Sequence, residues 1–193
     1  IEAAHPEVRC YRYWPELSSD CRLMTKLLRD LTDYSMSDQL TKQRSDLCNL
    51  LRRAYLSCLP LTEGTNKTLT YTSRVSCAYM PLDSPKMMEA LLNLIVNALD
   101  AVSDNGSVQI ILTKSNEQFV VSIIDDGCGI APKQLLTIFH PFTTTKPDGT
   151  GLGLPVAKRI IEGHGGHIRV SSAPNQGATF TFLLPCSFSS DKK

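Results

Sequence analysis

The sequence predicts an α+β protein, a two-layer sandwich with helices on one face of a mixed sheet, preceded by one helix of a helical hairpin. Three observations predict it. Apolar residues recur at helical spacing in long segments beginning near Leu17, Asp46 and Pro85. Runs rich in Thr, Tyr, Val and Ile occur in pairs joined by short polar stretches, which reads as hairpins. The order is helix, strand, helix, strand pair, loop, helix, strand pair, which collects the helices on one side of the sheet.

The first segment, 1–15, holds Pro6 and Pro15 around Tyr11, Tyr13 and Trp14, and reads as a linker anchored by rings. From Leu17, the residues Cys21, Met24, Leu28 and Leu31 follow at alternating steps of four and three, the stripe of a helix that packs along a partner. Leu27 and Tyr34 widen that stripe toward a bundle. Residues 38–45 are polar and without period, so they are expected to connect the helix to a second domain covering 46–186.

In that domain Asp46 is placed to cap a helix through Leu59. Thr68–Val75 and a short run near Cys77–Met80 read as strands. Pro85–Val102 is the strongest helix, its apolar face expected from Met88, Leu91, Leu92, Ile95, Val96, Leu99 and Val102. Ser107–Thr113 with Phe119–Ile124 forms one hairpin, and Gly166–Ser171 with Ala178–Leu184 a second. Residues 187–193 are expected to fray.

At 193 residues, with 42% hydrophobic and 20% charged side chains, the chain is long enough for one good core. A net charge of +1 removes the electrostatic case for nucleic acid or an anionic membrane. Seven scattered cysteines, none in a C-x-x-C pair, indicate neither a disulfide framework nor zinc, and a reducing cytoplasm is the simplest setting. No apolar run has the length of a membrane span, so no membrane contact is expected within this chain. Because it opens on Ile1, the chain reads as a piece of a longer protein, with a sensor or membrane anchor upstream.

Chemistry concentrates in three places. Asp148-Gly149-Thr150-Gly151-Leu152-Gly153-Leu154-Pro155 carries glycines at alternate positions and leads into a helix. Bare glycines let a ligand reach the backbone N–H groups, and a helix N-terminus favours anions, so the run suits a polyphosphate. It is not a P-loop, because no Gly-Lys-Ser/Thr ending follows, nor a dinucleotide G-x-G-x-x-G. Asn93 and Asn97 lie one turn apart on the strong helix, and an asparagine oxygen is a neutral hard ligand suited to Mg²⁺ that phosphates already hold. Asp125 ends a strand before Gly127 and Gly129. A carboxylate there accepts from the exocyclic amine of adenine and repels the carbonyl oxygen of guanine. Lys146 is placed to meet a terminal phosphate.

These stretches resemble the four boxes of a known family. Asn93-Leu94-Ile95-Val96-Asn97-Ala98 looks like an N box, Asp125-x-Gly127-x-Gly129 a G1 box, Phe139 to Phe142 an F box and Gly149 to Leu154 a G2 box. In this order they are similar to the ATP-binding domain of sensor histidine kinases, in the gyrase, chaperone, histidine kinase and MutL superfamily with the Bergerat fold. The resemblance implies Mg-ATP bound beneath a lid running from Ile130 to Gly149. It implies nucleotide contacts from Asn97, Asp125, Gly127, Gly129, Ile130, Phe142, Thr145, Lys146, Gly149, Thr150, Gly151, Leu152, Gly153 and Leu154. Asn93, Asn97 and Lys146 are then the catalytic set, with Asn97 and Asn93 on the metal. The implied reaction transfers the γ-phosphoryl group to a histidine on a dimeric helical hairpin, and from there to the receiver domain of a response regulator.

Hydrolytic members of the superfamily place a water-activating glutamate one turn before the metal asparagine. This chain has Asn93 there, which favours a kinase, while Glu89 a further turn back is the residue that could overturn the point. His5-Pro6 departs from the family's acceptor motif, so the acceptor histidine is expected upstream of Ile1 and Leu17–Tyr34 is expected to be the hairpin's second helix. His164 and His167 read as a helix C-terminal cap rather than a metal site, and His140 has no functional reading. Alternatives are a nucleotide-gated dimerisation scaffold without catalysis and a serine kinase of the anti-sigma type.

Overall fold

The computed structural model describes residues 11–21, 24–25, 40–146 and 149–186. The readings of His5, of most of the stripe beyond Met24, of Pro147-Asp148 and of the tail from Ser187 lie outside these residues.

Residues 14–21 and 24–25 are helical, so the helix starts three positions before the expected Leu17. Trp14 and Leu17 donate backbone bonds to Tyr11 and Tyr13, which brings the ring cluster into the first turn. Tyr11 and Tyr13 are exposed. Leu17 and Met24 of the stripe are exposed as well.

The second unit is a five-stranded mixed sheet, ordered β2, β4, β5, β7, β6. Its strands are β2 (Thr68–Ser73), β4 (Ser107–Ser115), β5 (Gln118–Asp125), β6 (His167–Ser172) and β7 (Ala178–Pro185). The β2–β4 pair is parallel and the others antiparallel. Period-2 alternation sends Phe119, Val121 and Ile123 of β5, and Phe180, Phe182 and Leu184 of β7, into the core. Asp125 continues the same inward series as the last residue of β5.

Three helices are built from stripes that complete that core: α1 (Leu47–Cys58), α2 (Ser84–Ala101) and, after a short α3 (Pro132–Leu135), α4 (Gly153–Gly163). Asp46 caps α1 as expected, accepting from Cys48 N at 3.0 Å. Asp83 caps α2 through Lys86 N at 3.0 Å. The buried face of α2 is Met87, Ala90, Leu91, Leu94, Ile95, Ala98 and Leu99. Met88, Leu92 and Val96 stand only at its edge, because the small Ala90 and Ala98 let neighbours approach and rotate the packed face toward them.

Two elements depart from expectation. Gln43–Asp46, inside the stretch expected as a connection, forms β1 and pairs antiparallel with β3 (Tyr79–Leu82). Its four side chains are polar or charged, so no apolar alternation announces it, and β3 begins two residues later than the expected Cys77. The short α3 lies within the lid region, where Pro132 opens its first turn.

Candidate functional site

Helix α2 is the spine of the site. At one-turn intervals along it, Asn93, Asn97 and Ala101 each meet a different loop. Gly153 lies beside Asn93, where a Cβ would make ordinary contact 3.4 Å from Asn93 Oδ1, so the glycine run ends against that amide. Lys146 Nζ donates to Asn97 Oδ1 at 3.1 Å and pairs with Asp100 Oδ2 at 2.8 Å. Ala101 O accepts from Cys128 N at 3.1 Å, and Gly127 passes so close to that carbonyl that a side chain would collide with it.

Asp125 is buried, with 5% exposure, at the inner end of β5. Its Oδ1 accepts from Gly127 N at 3.0 Å and from Ala178 N at 3.1 Å. Oδ2 receives no hydrogen bond from any described residue, which leaves it as an acceptor for a ligand. Burial pushes the carboxyl above its ordinary value, with the two backbone bonds working the other way. The neighbouring Asp126 behaves in the opposite sense: Ser107 N and Oγ donate to it at 2.8 and 2.7 Å, which lowers its pKa and ties it to the start of β4.

The G1 turn is held by the β6–β7 connection. Asn175 N donates to Cys128 O at 2.8 Å, Gly177 N to Gly127 O at 3.0 Å and Ile130 N to Ser172 Oγ at 2.9 Å. Gly129 has φ +68° and lies against the Ala173 carbonyl, where no side chain fits.

The glycine run closes onto the F-box segment. Gly151 has φ +66°, and a Cβ there would come within 2.5 Å of the Phe142 carbonyl carbon. Phe142 N donates to Gly151 O at 3.0 Å, while its own φ is +64° and its ring is exposed. Gly149 is packed against Thr144 Oγ1, Thr150 Oγ1 accepts from Leu152 N at 3.4 Å, and Thr145 is exposed. Leu152 is fully buried as the N-cap of α4, and Leu154 packs on the core, so these two orient the loop by their side chains. Pro155 is the third residue of α4, within its first turn.

Two features were not foreseen. Asp100, three residues after Asn97 and on the same helix face, holds Lys146; its spacing was the signal that could have revealed it. Glu89 is paired with Lys86 at 3.0 Å.

Residues 82–187 match the family model described as histidine kinase-, DNA gyrase B- and HSP90-like ATPase. The chain belongs to this family. Sensor histidine kinase ZraS of Salmonella typhimurium is 32% identical over 88% of this ATPase-family chain, which spans 37% of ZraS. The catalytic domain of histidine kinase ThkA, at 29% identity, superposes with a TM-score of 0.71 over 77% of this chain and 100% of that one. Full-length ShkA in complex with AMPPNP, at 25% identity, does so with a TM-score of 0.79 over 90% of this chain and 38% of that one. The two-layer sandwich expected from the sequence is thus the fold of this ATPase family.

Proposed function

We propose that this chain is the Mg-ATP-binding catalytic part of a sensor histidine kinase in a two-component system. One observation carries the reading: a single face of α2 gathers the glycine run at Asn93, Lys146 at Asn97 and the Asp125 turn at Ala101. A base pocket, a cation site and a phosphate cradle then lie in a row of the length of one nucleotide. ShkA, of the same fold, was solved with AMPPNP.

In this reading the free Oδ2 of Asp125 accepts the adenine amine, and its burial gives that contact discrimination against guanine. The amides of Gly149, Gly151 and Gly153, with the first turn of α4, hold the phosphates. A metal fits beside them. The amide oxygen of Asn97 already accepts a cation, the Lys146 ammonium, so positive charge is stable there. Among the described residues no cluster of three or more His, Cys, Asp or Glu exists to bind a metal alone, which suits Mg²⁺ held mostly by phosphates. Mg²⁺ when bound supplies neutralisation of the phosphate charge. Asn93 cannot take a proton from water, and the Glu89 carboxylate is engaged by Lys86, so the residues of this helix turn present no poised water base. Transfer to a histidine nucleophile then relies on positioning and charge.

The exposed Leu17 and Met24 support dimerisation through the helical hairpin, and a response regulator's receiver domain is the next acceptor. No helix among the described residues is long and apolar enough to cross a membrane, and a cytoplasmic setting for this part is proposed. The test is to add a separate acceptor hairpin and γ-labelled ATP to the chain. Acid-labile label on histidine supports the reading, acid-stable label on serine points to the anti-sigma type, and nucleotide binding without label points to the scaffold.

A further inference from the structure

Helix α4 meets α2 at both of its own ends, by packing at one and by a hydrogen bond at the other. At one end Gly153 lies on Asn93. At the other, Asp83 N donates to His164 Nε2 at 2.9 Å, and His164 Nδ1 donates to Ile160 O at 2.7 Å within α4's last turn. The distances match: Asp83 to Asn93 and Gly153 to His164 are each ten or eleven residues, about 15 Å of helix. The pair therefore forms two struts of equal length running in opposite directions. Any slip of α4 along α2 at the His164 end appears at the Gly153 end as a displaced glycine run.

The same junction receives the chain entering the domain. Asp83 Oδ2 accepts from Thr41 N at 2.8 Å, while Oδ1 caps α2 through Lys86 N. One residue earlier, Leu40 packs against Gly163, where a Cβ would stand 2.9 Å from Leu40 Cδ1. Ser84 Oγ donates to Ser45 Oγ at 3.0 Å. The entering segment thus touches the start of α2 and the end of α4 at once. His164 and Asp83 are both buried, so neither contact is replaced by water without cost.

We infer that Asp83 and His164 are positioning residues: their hydrogen bond sets the register of α4 on α2, hence the spacing of the glycine run from Asn93 and Asn97, and Thr41 lets the entering segment bias that register. The inference rests on the proposed nucleotide site. It explains why a polar pair sits where an apolar contact would pack as well, since a directional bond fixes a register that greasy surfaces leave free to slide.

The experiment is a titration of the 193-residue chain with a fluorescent ADP analogue, alongside hydrogen exchange at Val156 N in the first turn of α4. His164→Leu removes the acceptor while filling the space; His164→Gln returns an acceptor at the Nε2 position. Expected results are a Kd raised about tenfold and faster Val156 exchange in His164→Leu, with unchanged exchange in β4 and β5, and a Kd within about threefold of the parent in His164→Gln. Equal binding by the parent and a folded His164→Leu overturns the inference, as does His164→Gln behaving like His164→Leu. Should His164→Leu not fold, Asp83→Asn serves, because it keeps the cap oxygen and the bond to His164 but opposes an amide N–H to Thr41 N. Unchanged ADP binding and unchanged Val156 exchange in folded Asp83→Asn overturn the part assigned to Thr41, and a raised Kd with faster exchange supports it. An unmodified chain that binds no adenine nucleotide would instead overturn the proposed site itself.

Discussion

The Lys146 ammonium donates to Asn97 Oδ1 at 3.1 Å, joining the segment before the glycine run to the middle of α2. Asp100 completes the contact from the next turn, 2.8 Å away. In the proposed reading Asn97 Oδ1 would also hold the metal, so metal and lysine would compete for that oxygen and Lys146 would be free to turn toward phosphate. Lys146→Ala should weaken ATP binding about fivefold to tenfold in the presence of Mg²⁺ and ADP binding about twofold or less, because a terminal phosphate is the lysine's partner. Isothermal titration with the two nucleotides checks it, and equal losses for both would refute the assignment.

Asn97→Ala should remove the dependence of nucleotide affinity on Mg²⁺ while leaving metal-free binding nearly unchanged. The measurement is a pair of ATP titrations, with Mg²⁺ and with EDTA. A persisting Mg²⁺ effect of the original size would move the metal ligand elsewhere.

Asp125→Asn can keep its oxygen toward Gly127 N and Ala178 N, which both donate to Oδ1, but it puts an NH₂ donor at the Oδ2 position, where the proposed adenine amine needs an acceptor. ADP should bind about 10-fold to 100-fold more weakly, the range for losing a hydrogen bond to a buried charge. The pH dependence follows from the raised pKa. In the proposed reading ADP binding uses the ionised form, so it should be full at neutral pH and fall as pH drops through a pKa that burial has raised from its ordinary value. An affinity that holds down to the ordinary range, near pH 3.9, would count against Asp125 as the base-reading group.

His164 gives the opposite end of the domain a pH signature. Burial pushes its pKa below the ordinary 6.5, with Ile160 O and Asp83 pulling upward and Lys42 downward. The folded form holds the neutral ring, donating from Nδ1 and accepting at Nε2. As pH falls below about 6.5 the unfolded chain takes up a proton there that the folded chain refuses, so stability declines until folded His164 itself protonates. Urea unfolding between pH 5 and 8 should show this loss in the parent and less of it in His164→Gln.

Gly151→Ala should disturb the glycine run. The φ of +66° costs an alanine about 1 kcal/mol, and its methyl would meet the Phe142 backbone, so the loop must move. Nucleotide affinity should fall several-fold, with a smaller loss of thermal midpoint because Gly151 adjoins the buried Leu152. A midpoint shift without an affinity loss would show the glycine serving stability alone.

Cys128 is exposed between Gly127 and Gly129. Alkylation of this thiol should slow when ADP occupies the pocket. Identical rates, followed by mass spectrometry of the Cys128 peptide, would place the thiol outside it.

Local pattern determined much of this protein. The β-rich run Phe119–Ile124 made β5 readable and put Asp125 at its end; the four-residue step from Asn93 to Asn97 put both amides on one side of a helix; and the glycines announced a backbone that must be approached closely. Each of these rests on neighbours within a turn or a strand, where covalent geometry sets the period. The tertiary structure alone decided the rest. The polar Gln43–Asp46 became a strand only because β3 offers it a ladder. Lys146 reaches Asp100 and Asn97 across 46 and 49 positions, and Asp83 finds His164 across 81. No periodicity encodes such pairs, because their geometry is created when separate stripes bury a common core and bring the helix ends together.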